Sequence, residues 1–188
     1  MSPPLAWLLT ALFALLALPC LLRLARLDYV RLGHPLRGGD LAELLLVVAM
    51  VAMVCPVGGP IPAAGWQAVL ALTAGWFGFA WWRGRRSGHG AGCGHHALSA
   101  AAMLYMISAT AHTGMTHGPW LVMSTMDAPV AWPVVAVPAA GYFAVDAVRS
   151  GALALRLRAA EPMPGHLSRT LCRAVMGAGM GYLLLAAG

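Results

Sequence analysis

Residues 5–22 read LAWLLTALFALLALPCLL, an apolar run without a charge. About 20 such residues, rising 1.5 Å each, cross the hydrocarbon core of a bilayer, where every backbone amide must bond within its own helix. Met1 to Pro4 carries no Arg, so the run lacks the basic flank of a cleaved signal and reads as a retained helix. Similar runs recur along the chain. Together the windows 5–25, 41–57, 63–82, 97–111, 129–148 and 167–187 predict an all-α polytopic membrane protein. The expected architecture is a single transmembrane domain spanning 1–188, a bundle of about six helices.

Composition points the same way. The chain is 60% hydrophobic and 10% charged with a mean hydropathy of +0.75, where a soluble domain carries roughly 25% charged residues. All 12 basic residues are Arg, giving a formal charge of +6. In a soluble protein that excess would raise nucleic acid as a partner. Here the arginines lie between apolar runs, so topology accounts for them, and the expected partner is the bilayer. Arg23, Arg26, Arg31 and Arg37 follow the first run, Arg83, Arg85 and Arg86 the third, and Arg149, Arg156, Arg158, Arg169 and Arg173 the fifth. Those connections face the cytoplasm. Residues 56–60 carry no charge and 113–127 only an acid, so both face outward, which puts the two termini outside a bacterial plasma membrane. Gly177 and Gly181 make a small-xxx-small step suited to a close helix contact, internal or with a membrane-protein partner or second copy. The cysteines, Cys20, Cys55, Cys93 and Cys172, are scattered singly and imply neither a disulfide framework nor a zinc site.

The even-numbered runs align without gaps. Gly39-Asp40-Leu41-Ala42-Glu43 leads to Met50 and Met53, Gly92-Cys93-Gly94-His95-His96 to Met103 and Met106, and Gly165-His166-Leu167-Ser168-Arg169 to Met176. Each has a small residue at the helix start and a methionine seven residues after a polar side chain; Met180 falls one residue late. Three repeated helix pairs would produce this pattern.

The paired methionines after alanine, Ala49-Met50 with Met53 and Ala102-Met103 with Met106, preceded in the second case by His95-His96, resemble the actinobacterial family known as domain of unknown function 5134. The resemblance covers nearly the whole chain. It implies a multi-pass membrane protein and no established activity. Members tend to carry a His near the start of the second helix, where this chain has Asp40 and Glu43.

Potential ligands are densest at His112, Met115 and His117, followed by Met123 and Met126, in an outward connection. Thioether sulfur with imidazole nitrogen suits copper, since soft sulfur selects Cu(I) while imidazole tolerates both oxidation states. Met50, Met53, Met103, Met106, Met176 and Met180 form helix-face stripes that would meet if the even helices pack together, as a copper site or as soft packing. Asp40, Glu43, His95, His96, His166 and Arg169 form a polar cluster at the cytoplasmic end. Pairing of Glu43 with an Arg or His is its first reading and a proton or metal relay its second. Asp146 has Arg149 three residues on, a spacing that suggests a local ion pair. A b-type haem would need two facing histidines, for which His96 with His166 is the pair of matching depth. No GxSxG, HExxH, P-loop or dinucleotide pattern is present, so nothing positive points to an enzyme. Copper binding and a non-catalytic accessory subunit of a membrane complex stand as the two principal readings.

Overall fold

The computed structural model describes residues 2–32, 34–59, 61–85, 91–111, 133–157 and 165–186. Among them the chain is all-helical. Two prolines in the first turn, where the missing N–H costs nothing, open α1 (Pro3–Arg26), and the extended backbone at Leu27 closes it. A single turn, α2 (Tyr29–Leu32), follows Asp28, whose Oδ1 accepts from the Val30 N–H at 3.1 Å. The remaining helices are α3 (His34–Val54), α4 (Ala63–Gly84), α5 (Ala91–Ala111), α6 (Pro133–Leu157) and α7 (His166–Ala186).

Each apolar window thus falls on one long helix, and the differences lie at the polar ends. Helix α3 begins before the window at 41–57, because Arg37 and Asp40 are accommodated inside a continuous helix rather than in a loop. Helix α6 continues through Arg149 to Leu157, since Ala, Leu and Arg favour helix regardless of charge. Residues 129–132, the start of the fifth window, lie outside the described residues. So does the whole connection holding His112, Met115, His117, Met123 and Met126.

The helices pack as sequence-adjacent pairs, α1 with α3, α4 with α5 and α6 with α7, and further contacts join α3 to α5 and α1 to α7. A Cβ added at Gly177 would lie 3.1 Å from the Phe143 carbonyl oxygen and 3.3 Å from the Ala147 Cβ, and one at Gly181 would lie 3.5 Å from the Ala140 carbonyl oxygen. The small-xxx-small step therefore serves the antiparallel α6–α7 contact inside the chain. Gly177→Leu is expected to lower stability by about 1–3 kcal/mol through overpacking, read as a drop in melting temperature in detergent. Gly151→Leu, where nothing lies within 4 Å of an added Cβ, should leave the melt unchanged.

All six helix methionines point inward. Met50, Met53, Met103, Met106, Met176 and Met180 are each 3% exposed or less and belong to one core with Phe13, Trp66, Leu70 and Phe143. Large apolar side chains also cover the outside: Leu15, Leu72, Trp76, Val134 and Val148 are all more than half exposed. Among the described residues one helix, α1, is long and apolar enough to cross a membrane by length and composition. Charges account for part of the contrast with its neighbours, since α3 contains Arg37, Asp40 and Glu43 and α7 contains Arg169 and Arg173.

Candidate functional site

At one end of the bundle the outside-in order of a soluble protein is reversed, because charged side chains are buried there. Arg23, in the last turn of α1, is 5% exposed. Its Nη2 donates to Glu43 of α3 and to the Cys20 Sγ at 3.3 Å, its Nη1 donates to Ser168 Oγ at 3.1 Å, and its Nε lies 3.6 Å from Asp40 Oδ1. Asp40, 1% exposed, accepts a two-pronged pair from Arg169 of α7, Nε at 2.8 Å and Nη2 at 2.7 Å, and the Tyr29 hydroxyl at 2.7 Å. Two acids and two arginines on three helices form one hydrogen-bonded unit. Removing water from these charges is tolerable only because each carboxylate keeps a charged donor.

The turn before α7 makes this closure possible. Gly165 adopts φ +77°, a conformation disfavoured for residues with a Cβ, and an added Cβ would meet Leu27 Cδ1 at 3.2 Å and Arg23 Cδ at 3.3 Å. Ser168 thereby reaches Arg23 at the end of α1, and Arg169 reaches Asp40 of α3. Tyr29 is drawn in from α2: burial and its hydrogen bond to Asp40 push the phenol up to about 12. Its raised pKa means the neutral phenol is the form the fold favours, so that contribution is complete below pH 10 and lost as pH rises through about 12. Asp40→Asn is expected to bring the Tyr29 titration down toward the ordinary tyrosine value, read by ultraviolet absorbance against pH.

A second ion pair lies beside the first. Asp146 of α6 accepts from Arg173 of α7, Nε at 2.9 Å and Nη2 at 2.5 Å, and its Oδ2 is 3.5 Å from His95 Nδ1. Its partner is thus the α7 arginine rather than Arg149, since the helix pair offers a two-pronged fork that the neighbouring turn does not. A cavity of about 320 Å³ separates the two pairs, lined on its polar side by Asp40, Glu43, His95, His96, Arg169 and Arg173. Cys93, Phe77 and Met176 add soft and aromatic groups. The His96 ring stands edge-on to Phe77, centroids 5.2 Å apart, and Nδ1 of both His95 and His96 is buried without a hydrogen-bond partner. Buried nitrogens of that kind carry a desolvation cost that a ligand or proton donor would relieve.

The structure therefore gathers Asp40, Glu43, His95, His96 and Arg169 around one cavity and leaves His166, half-buried at the start of α7, off its lining. Met176 belongs to both the cavity wall and the methionine core. Arg23, Arg173 and Asp146, which the sequence presented as topology charges or a local pair, join the charged network around the cavity. Cys20 and Cys172, read from the sequence as scattered single cysteines, lie 152 positions apart, yet their sulfurs are 3.9 Å from each other. A family model described as "Domain of unknown function (DUF5134)" matches residues 35–187. The chain belongs to the DUF5134 family. The DUF5134 segment supplies α4 to α7 and nearly all of α3, and so every residue lining the cavity. Arg23 and Cys20 reach the site from the helix that precedes it. No curated protein and no solved structure matches the chain.

Proposed function

We propose that the protein is a multi-pass bacterial plasma-membrane protein that binds copper at the His95–His96 cavity and in the methionine core behind it. The observation that carries this reading is the position of Met176, which joins a cavity holding two buried imidazole nitrogens that make no hydrogen bond to five further buried methionines. Imidazole and thioether donors in a water-poor space favour Cu(I), which needs few ligands and little charge compensation. His112, Met115, His117, Met123 and Met126 would serve as outward ligands ahead of it.

The multi-pass placement rests on the apolar outer surface together with buried charge. Lipid contact rewards Leu72, Trp76 and Val148 on the outside, while water would not. Reporter fusions after Gly59 and Gly118 are expected to read as external and one after Gly88 as cytoplasmic. Exchanged signals would overturn the orientation.

For copper, protein purified from copper-supplemented cells is expected to retain metal by elemental analysis. His95→Ala with His96→Ala should release most of it, whereas His34→Ala with His89→Ala should leave it in place. His112→Ala with His117→Ala separates the outward set from the cavity. Unmutated protein without metal would leave the accessory-subunit reading, and an intense Soret band would mark haem instead.

A further inference from the structure

Cys20 of α1 and Cys172 of α7 are both buried, with Sγ atoms 3.9 Å apart. A carboxylate oxygen of Glu43 joins them, the three ligand atoms all lying within 4.8 Å of one another. We propose that Cys20, Cys172 and Glu43 form a second metal site, separate from the copper residues, that takes a divalent thiophilic cation of the zinc class.

Distance argues for a metal over a disulfide. Two sulfurs on one tetrahedral zinc, with bonds of about 2.3 Å, stand about 3.8 Å apart, close to the separation found. A disulfide needs them about 2.0 Å apart. The donors converge from three helices rather than neighbouring on one, so the bundle itself sets the bite. A nearby cation stabilises the thiolate form that metals require, and Arg23 Nη2 already donates to Cys20 Sγ at 3.3 Å.

Charge chooses the ion. Two thiolates and the carboxylate carry three negative charges, and Arg23, paired to Glu43, supplies one positive. A divalent cation makes the group neutral, whereas Cu(I) leaves one uncompensated negative charge among residues less than a tenth exposed. Binding releases the two thiol protons, so occupancy rises with pH. Glu43 also lines the cavity, which gives the ion a way in and leaves a fourth position open to a small ligand.

Titration of the full chain in detergent with Co(II), a spectroscopic substitute for zinc, is expected to give one equivalent with a sulfur-to-cobalt charge-transfer band that Zn(II) abolishes. Cys20→Ser and Cys172→Ser should each remove that band. Cys55→Ser, Cys93→Ser and the His95→Ala/His96→Ala variant should retain it, which separates this site from the copper reading. Because the serine variants sit in the core, unmutated protein supplies an independent measurement. X-ray absorption at the zinc edge of the zinc-loaded unmutated protein should show two sulfur neighbours at about 2.3 Å, and a shell of oxygen and nitrogen alone would sink the assignment. Absence of the cobalt band, its survival in Cys172→Ser, binding of Cu(I) with no competition from Zn(II), or a Cys20–Cys172 disulfide persisting under reductant would each overturn the assignment.

Discussion

Arg23→Met is expected to destabilise the protein by about 3–5 kcal/mol, because it strands a buried carboxylate. Glu43 is 6% exposed and Arg23 is its charged partner, while Asp40 retains the fork from Arg169. The loss should therefore fall mainly on Glu43, and Glu43→Gln in the same chain should recover much of it by making the orphan neutral. Ser168 and the Cys20 sulfur also lose a donor, so recovery should stay incomplete. Arg26→Met, at an exposed position one turn along the same helix, should stay within about 0.5 kcal/mol of the parent, as surface changes do. Denaturant or thermal unfolding in one detergent reads all four proteins. If Arg23→Met and Arg26→Met melt alike, the buried network is not what holds α1 to the bundle.

The two arginines show why sequence alone reaches only part of this site. Both follow the same apolar run and both read as cytoplasmic topology charges. Three residues apart, they share a helix face, but Arg26 is the last residue of α1 and Arg23 lies a turn further in. How far the neighbouring helices extend along that face is not encoded locally, so the buried arginine cannot be told from the solvated one. Helix positions, by contrast, follow from local apolar length and were legible. The methionine stripes were legible too, because a three-residue step fixes a shared face whatever the packing. Asp40, Glu43, His95, His96 and Arg169 could be grouped by repeat position. The Cys20–Cys172 contact could not, since it depends on α1 lying along α7, a pairing that no local periodicity encodes. Asp146 went to the wrong arginine for the same reason: Arg149 is near in sequence, but Arg173 is near in space.

That α1–α7 pairing is itself open to a strong test at its far end. Contacts run from Arg23 with Ser168, through Cys20 with Cys172, to Phe13 against Gly179, so the two helices are antiparallel and meet first one turn apart and then about two turns apart. Phe13 is fully buried, and a Cβ on Gly179 would drive into its ring and come within 3.4 Å of Met50 Cε. Phe13→Ala is expected to cost about 3–5 kcal/mol, the usual range for emptying an aromatic core position. Gly179→Leu should cost about 1–3 kcal/mol, since the added side chain overlaps a fully buried ring. Combined, the added leucine side chain occupies the volume the ring gave up, so the double variant should be more stable than the sum of the two losses predicts, with a coupling of about 0.5–3 kcal/mol. Additive losses would mean that the residues do not touch. In that event α1 would be held to the bundle by α3 and the Arg23 network alone, and the Cys20–Cys172 site would lose the helix alignment on which it depends.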